Sequence, residues 1–264
     1  MAIPKTIHYC WFGGNPLPEE TIRYIESWKR FCPDYQIKEW NETNFDVHCC
    51  AYVEEAYDAK KWAFVSDYAR FLALYKEGGI YFDTDIEVLR SFDDLLEYNA
   101  FFGFGRQSLT LPVFGADKNQ RCFAEILEDY AHRHFVKDDG SYDTTTIELT
   151  AQRILLESYG LKLNWEKQIL KDNIAILPKD CFSSTDWATG IVTKNPNLYV
   201  IHYAEASWMD ITDRKNMMRK RRLIKVFGEK VGMIISDTIT YYNDRGLKLT
   251  VIKVLGKIKL KVFK

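Results

Sequence analysis

The order of apolar and polar positions predicts strands and helices that follow one another along most of the chain. Strand patterns cover residues 3–12, 35–40, 80–82, 100–104, 111–115, 174–177 and 198–203. Helical spacing, with apolar residues three or four positions apart, covers 18–31, 52–61, 63–77, 121–134 and 146–159. Strands that alternate with helices are typical of an α/β fold, in which helices flank an open sheet. We therefore expect an α/β domain over most of the chain.

One segment, from Ala63 to Glu87, combines a helix, a glycine stop, a short strand and two carboxylates. The helix is expected to end at Gly78-Gly79, because glycine adopts left-handed backbone at little cost. The β-branched and aromatic run Ile80-Tyr81-Phe82 favours a buried strand that leads directly to Asp83 and Asp85. Residues two apart on a strand point to the same side, so these carboxylates are expected to face one ligand. Such a pair suits Mg²⁺ or Mn²⁺, which commonly accompany a substrate's phosphates.

The helix before this strand carries a second polar pair, Asp67 and Arg70. Their three-residue spacing makes them neighbours on the helix surface. Taken alone, they could form an exposed ion pair of little energetic value, and an Asp-x-Asp pair alone could be a turn. The combination of both pairs around a double glycine indicates a functional site.

The combined pattern resembles a known signature. Ser66-Asp67-x-x-Arg70 followed by Gly78-Gly79-x-Tyr81-x-Asp83-x-Asp85 is similar to the motif of retaining glycosyltransferases of family 32, the sugar-binding-region family. That family includes capsule-synthesis enzymes and yeast mannosyltransferases, and the glucosylating clostridial toxins are more distant relatives. Residues 3–14, 28–41 and 202–208 resemble other parts of the family pattern, so the likeness extends over about 210 residues.

The resemblance implies a GT-A fold, an open Rossmann-like mixed sheet flanked by helices, with a nucleotide-sugar site. It implies the following roles: Asp67, Arg70, Asp83, Asp85 and Trp208 act in catalysis, and Cys10, Trp11, Asn44, Ser66, Tyr81 and Ser207 contact the donor. Mn²⁺ or Mg²⁺ is the implied cofactor. Asp85 is the expected direct metal ligand, whereas Asp83 is expected beside the donor ribose or a metal-bound water.

Three of these assignments keep alternatives. Trp11 matches a position that stacks on the nucleobase, but an indole can equally serve as a core aromatic. His202 is either a third metal ligand or a cap on the last strand. Ser207 and Trp208 lie on a loop expected to fold over the diphosphate, where such a lid would exclude water; differences in loop spacing among relatives leave their roles open.

The implied reaction is transfer of a hexose with retention of anomeric configuration, from a nucleoside diphosphate sugar to a saccharide acceptor. UDP-galactose or UDP-glucose is favoured as donor, and GDP-mannose is the alternative. No residue stands out as a dedicated nucleophile, so a same-face displacement is expected. Many relatives carry Gly-Pro where this chain has Thr145-Thr146-Ile147-Glu148, in a region that tends to face the acceptor. The identity of the acceptor therefore does not follow from the resemblance.

Two other classes of protein fit parts of the pattern. A phosphatase of the haloacid-dehalogenase type would use Asp83 as its nucleophile, but Glu87 stands where that motif usually has Thr or Val, and the helix of Asp67 and Arg70 would have no role. A non-catalytic sugar-binding protein would tolerate loss of the metal carboxylates, yet both are present.

Charge divides the chain into two parts. Residues 214–264 contain 15 Lys and Arg against 3 Asp and Glu, a net charge of +12, whereas the whole chain has −1, so residues 1–213 carry −13. The sequence predicts a catalytic domain over 1–213 and a basic amphipathic extension over 214–264. Lysines interleaved with apolar residues favour an anionic membrane surface, and hence a lipid-linked acceptor, over nucleic acid. A helix packed on the body is the alternative.

Three further features of the sequence bear on cellular location: its first residues, the length of its apolar runs and its cysteines. A strand pattern begins at Ile3 with no leader pattern before it, and no run reaches the roughly 18–20 apolar residues that span a bilayer. The six cysteines show no Cys-x-x-Cys spacing, so we expect reduced thiols. Together these features predict a cytoplasmic protein, peripheral on the inner face of the plasma membrane.

Overall fold

The computed structural model describes residues 2–206 and 209–262, with the side chains of 244 and 247–262 left out of the description. It consists of two compact units, Met1–Thr185 with Thr193–Tyr203, and Asp186–Val192 with Ala204–Lys264. The first unit contains all the strands of the described chain, and the second is helical. The predicted α/β class is confirmed. The functional division at residue 213 stays a prediction.

The first unit is built on a mixed sheet of seven strands, in the order β2-β1-β3-β6-β5-β8-β7, and a separate ribbon of β4 and β9. The strands are β1 Thr6–Cys10, β2 Gln36–Trp40, β3 Gly79–Phe82, β4 Ile86–Val88, β5 Ala100–Phe104, β6 Leu109–Ala116, β7 Gln168–Leu170, β8 Ile174–Leu177 and β9 Val200–His202.

Helices flank this sheet and form the second unit. They are α1 Glu19–Phe31, α2 Ala51–Asp58, α3 Trp62–Glu77, α4 Arg121–Ala131, α5 Ile147–Ile154, α6 Lys179–Phe182, α7 Ile211–Phe227 and α8 Glu229–Val262. A π-helical turn, Leu155–Tyr159, continues α5, and α8 is interrupted at Gly246, which has φ of 77°. None of the helices in the described chain has the length and hydropathy needed to cross a bilayer.

The order of the strands creates a switch point beside β1. This strand pairs in parallel with β2 on one side and with β3 on the other, and β3 then pairs antiparallel with β6. In open α/β sheets, ligands bind beyond the carboxyl ends of strands at such a point. Trp11 follows β1 and Asp83 follows β3, so both lie at this edge.

A buried histidine joins the strands near the switch point. Trp40 Nε1 donates to His8 Nδ1 at 2.9 Å, so Nε2 carries the proton and donates to the Gly78 carbonyl at 2.8 Å. Burial lowers the pKa of His8 to about 4, which keeps the ring neutral near pH 7. Gly79, at φ of 113°, lies so close that a Cβ atom there would be 2.6 Å from the Thr6 carbonyl oxygen. The double glycine is therefore required for the approach of β3 to β1 as well as for ending α3.

Two elements differ from the sequence prediction. The β4–β9 ribbon was not expected as a separate sheet, because each of its strands has only three residues and they lie far apart in the chain. The other difference is in α1, whose buried face consists of Thr21, Ile25 and Trp28. The apolar spacing within the predicted helix 18–31 groups Ile22 with Ile25 and Trp28, but Ile22 is 47% exposed.

Candidate active site

A buried arginine organises the site. Arg70 on α3 lies with Nη2 3.1 Å from Asp67 Oδ1 and Nη1 3.3 Å from Asp83 Oδ1, and its side chain is 8% exposed. Nη1 also donates to the Leu111 carbonyl at 3.3 Å, and Nε donates to the Ser66 carbonyl at 3.1 Å. The guanidinium carbon lies 4.7 Å from the centre of the Tyr81 ring. One cation thus connects α3, β3 and β6.

The Asp-x-Asp pair lies on a turn between two strands. β3 ends at Phe82 and β4 begins at Ile86, so Asp83 and Asp85 are outside regular strand. Tyr81 Oη donates to Asp83 Oδ1 at 3.1 Å, and the Asp85 carbonyl accepts from the Tyr203 N–H at 3.1 Å. The turn is therefore held from both sides.

Backbone pairing brings His202 to the same place. In the ribbon, Ile86 of β4 is paired with His202 of β9, one residue from Asp85. His202 Nε2 lies 3.3 Å from Asp85 Oδ1. The opposite edge of β4 is held by α1, since Trp28 Nε1 donates to the Ile86 carbonyl at 2.7 Å and the Val88 N–H donates to Ser27 Oγ at 2.9 Å.

These three side chains fit a divalent cation. Ligand atoms of Asp83, Asp85 and His202 all lie within 4.8 Å of one another. An octahedral Mg²⁺ or Mn²⁺ with bonds of about 2.1 Å holds opposite ligands about 4.2 Å apart, so small side-chain movements suffice. Two carboxylates and one imidazole leave further positions for water and phosphate oxygens. In this geometry the imidazole of His202 lies beside the carboxylates, as the metal-ligand alternative requires.

The electrostatics of the site favour cations, including protons. Burial raises the pKa of Asp83 although Arg70 opposes the shift, and burial raises the pKa of Asp67 to about 7. Burial lowers the pKa of His202, but the charges of Asp85 and Asp83 outweigh it, so the net shift is upward. Protons would therefore compete with a divalent ion bound by Asp83 and His202, and this competition would strengthen as the pH falls.

A carboxylate that the sequence analysis did not assign to the site also faces it. Glu148 is on the first turn of α5, and its negative charge acts on Asp67, Arg70, Asp83 and His202. Gln152, one turn further along the same helix face, accepts from the Leu109 N–H of β6 at 3.1 Å, two residues from the Leu111 carbonyl that Arg70 contacts. The only sequence signal for Glu148 was that its segment, 145–148, departs from the family pattern.

The other expected donor contacts lie in different surroundings. Cys10 is buried with 5% exposure, and burial raises the pKa of its thiol to about 12. Trp11 is half-buried, and its Nε1 donates to the Asn15 carbonyl at 2.6 Å. The Asn44 amide is used within its own loop, where it accepts from the Asn41 N–H at 3.0 Å and donates to the Glu39 carbonyl at 2.8 Å.

Ser66 and the late loop complete the set of expected contacts. The Ser66 hydroxyl donates to the Trp62 carbonyl at 3.0 Å within α3, and the Ser66 carbonyl accepts from Arg70. Ser66 thus positions the arginine through its backbone. Ser207 and Trp208 lie outside the described residues, so their expected contacts with the diphosphate stay predictions.

An open mixed sheet with an Asp-x-Asp turn at its switch point is the arrangement expected of a GT-A glycosyltransferase. Residues 18–102 match the family described as "Glycosyltransferase sugar-binding region containing DXD motif". This stretch contains α1, β2, α3, β3 and the Asp-x-Asp turn. The resemblance to this sugar-binding-region family is confirmed over residues 18–102. The open mixed sheet flanked by helices that the predicted fold requires is confirmed as well.

Individual relatives share part of this region. Inositol phosphoceramide mannosyltransferase 3 of Schizosaccharomyces pombe is 32% identical over 108 residues, which are 38% of this chain and 29% of that protein. An uncharacterized glycosyltransferase of Acanthamoeba polyphaga mimivirus is 30% identical over 110 residues, 38% of this chain and 42% of that protein. The chain therefore spans less than half the length of these two curated relatives. Among solved structures, the PaToxG glycosyltransferase is 20% identical with a TM-score of 0.45, covering 58% of this chain and 68% of that one.

Proposed function

We propose that the protein transfers a hexose from a nucleoside diphosphate sugar to a saccharide acceptor with retention of anomeric configuration. The observation that carries this proposal is the convergence of Asp83, Asp85 and His202 beside the Asp67–Arg70 pair, at the switch point of the sheet. Mn²⁺ or Mg²⁺ bound by Asp83, Asp85 and His202 would neutralise charge on the donor diphosphate.

The protein's own groups orient the donor sugar. One carboxylate oxygen of Asp67 is paired with Arg70. The Asp67 carboxylate also accepts hydrogen bonds from hydroxyl groups of the donor sugar. Arg70 is fixed by two backbone carbonyls, so it holds Asp67 and Asp83 at a constant separation. Such preorganisation places the anomeric carbon beside the acceptor without reorganising the site.

The proposed chemical step is a displacement on one face of the donor sugar. The bond between the anomeric carbon and the diphosphate oxygen breaks, and a bond to the acceptor oxygen forms on the same face. The acceptor's proton passes to the departing phosphate oxygen. An inverted anomer in the product would rule out this route.

The donor is a UDP-hexose, with UDP-galactose or UDP-glucose first, as the sequence resemblance implies. GDP-mannose is the second candidate, supported by the 32% identity to a mannosyltransferase. The acceptor is a lipid-linked oligosaccharide of surface or capsular polysaccharide synthesis. The basic residues of 214–264 support attachment of this cytoplasmic enzyme to an anionic membrane.

A panel of nucleotide sugars tests the proposal directly. Slow hydrolysis of one donor is expected with Mn²⁺ or Mg²⁺ present and is expected to stop with a chelator, since the diphosphate charge is then uncompensated. Nucleotide release measures the rate, and NMR of the glycosylated product gives the anomer. The proposal is refuted if the protein neither binds nor hydrolyses any of the UDP- and GDP-hexoses.

Glu148 is proposed to contact the acceptor, because it lies on the first turn of α5 and its charge acts on the Asp67–Arg70 pair and on Asp83. Glu148→Gln removes the charge but keeps the shape, so the KM of the acceptor identified by product analysis is expected to rise about tenfold or more. Hydrolysis of the donor in the absence of acceptor is expected to change less than about twofold.

Glu157→Gln is the matched control, since Glu157 lies on the π-helical turn after α5 and is paired with Arg153 at 3.2 Å. Its kinetics are expected to equal those of the wild type. An unchanged acceptor KM in Glu148→Gln would exclude the proposed contact with the acceptor. A raised donor KM would indicate that Glu148 contacts the donor instead.

A further inference from the structure

The basic extension contains a helical hairpin with a defined closed end. Arg219 Nη2 of α7 donates to Thr240 Oγ1 of α8 at 2.7 Å. Nearer the turn, a Cβ atom on Gly232 would lie 2.5 Å from the Ile224 backbone, so the two helices touch there. The turn between them is Gly228, with φ of 77°. Residues on either side of Gly228 therefore lie together at one end of the hairpin.

The basic residues of α7 fall into two groups: some are hydrogen-bonded within the second unit, and others are exposed to solvent. Arg221 donates to the Ala204 carbonyl at 2.8 Å and to the Trp187 carbonyl at 2.7 Å, and Arg219 is committed to Thr240. These two guanidinium groups hold the second unit together. Arg222, Lys225 and Lys230 are exposed near Gly228, and Lys215 and Arg245 are exposed farther from it along the chain. Arg219 and Arg221 are therefore withdrawn from the attachment surface predicted over 214–264.

Apolar side chains are exposed beside these cations. Val226 is 66% exposed, Phe227 is 53% exposed and Val231 is 50% exposed. We call the surface formed by Arg222, Lys225, Val226, Phe227, Lys230 and Val231 the hairpin tip. Residues 222–231 contain one acid, Glu229, against the three cations, so the tip keeps an excess of positive charge. Neighbouring apolar side chains exposed to this extent indicate a surface that is covered in the functional state.

The positive charge and the exposed apolar side chains of the hairpin tip together indicate which kind of partner binds it. An anionic bilayer offers headgroups to the lysines and acyl chains to Phe227 and the two valines. A nucleic acid would engage the cations but would leave Val226 and Val231 in water. We therefore infer that the hairpin tip inserts into the surface of an anionic membrane. The inference deepens the proposed function, because it names the part of the extension that would bring the enzyme to a lipid-linked acceptor.

Co-sedimentation of the full chain with vesicles tests the inference. Binding is expected to phosphatidylcholine vesicles with about 30 mol% phosphatidylglycerol, and not to phosphatidylcholine alone. The double variant Val226→Ser, Phe227→Ser is expected to weaken binding about tenfold or more, since it removes the apolar anchor. Lys225→Glu with Lys230→Glu is expected to do the same and to remove most of the salt dependence.

Ile169→Ser is the matched control, because Ile169 on β7 is 51% exposed, close to the value for Phe227. It is expected to bind vesicles like the wild type. A triple substitution of Lys257, Lys259 and Lys261 by Glu separates the tip from the end of the chain. The inference is overturned if wild type does not bind, or if this triple variant loses binding while the tip variants keep it.

Donor hydrolysis measured on the same samples separates this inference from the proposed function. Tip variants are expected to hydrolyse the donor at the wild-type rate, which also shows that they are folded. Asp85→Asn is expected to bind vesicles normally while losing hydrolysis. Vesicle binding without any donor turnover would support membrane insertion of the hairpin tip and would refute the proposed transferase function.

Discussion

Asp85→Asn is expected to lower donor turnover by about 10³-fold. The substitution keeps the size of the side chain but removes one of the two anionic ligands offered to the cation. Charge stabilisation by a bound metal contributes several kcal/mol in metal-dependent transfer, and about 4 kcal/mol corresponds to this factor. The measurement is single-donor hydrolysis at saturating Mn²⁺.

Metal affinity gives a second measurement for the same variant. Mn²⁺ binding followed by electron paramagnetic resonance is expected to weaken at least about tenfold in Asp85→Asn. Glu128→Gln, at an exposed acid on α4, is the control and is expected to retain both properties. Turnover within about threefold of the wild type would show that Asp85 is not a ligand required for the reaction.

Arg70→Ala is expected to reduce the free energy of unfolding by about 3 kcal/mol or more. It leaves Asp67 and Asp83 without their shared cation, and the side chains of these residues are only 14% and 28% exposed. Removing one partner of a buried ion pair is costly because the other charge stays desolvated. Two hydrogen bonds to backbone carbonyls and the contact with Tyr81 are lost as well.

Thermal unfolding is the measurement, and a lowering of Tm by roughly 6–12 °C is expected for a domain of this size. Arg70→Lys is expected to restore only part of the loss, because an ammonium group does not reproduce the planar guanidinium fork. The control is Arg153→Ala, whose ion pairs are on the surface with the arginine 48% exposed. Its cost is expected to stay below about 1 kcal/mol. Equal Tm values for Arg70→Ala and Arg153→Ala would refute the structural role of Arg70.

Local signals in the sequence were sufficient for the centre of the fold. The helix of Asp67 and Arg70, the double glycine and the strand before Asp83 are each encoded within a few residues, by apolar spacing and by glycine's backbone freedom. The strands predicted over 100–104 and 111–115 are confirmed as β5 and β6, and the structure pairs them antiparallel. Short-range patterns of this kind do not depend on tertiary contacts.

Long-range contacts explain what the sequence left open. The position of His202 depends on pairing between two three-residue strands, which have too few positions for a periodic signal. Glu148 faces the site because Gln152 fixes α5 to β6, a contact that no local pattern encodes. Similarly, a run of arginines does not show that Arg219 and Arg221 are turned inward, because that depends on acceptors at 187, 204 and 240.

The β4–β9 ribbon has a consequence for biosynthesis. Ile86 and His202 are paired, yet 116 positions separate them in the sequence. During translation, α3, β3 and the Asp-x-Asp turn leave the ribosome well before β9 exists. A nascent chain can therefore display two of the three candidate cation ligands, Asp83 and Asp85, while His202 is still to be synthesised. The candidate cation site would therefore gain its imidazole only after β9 has been synthesised and has paired with β4.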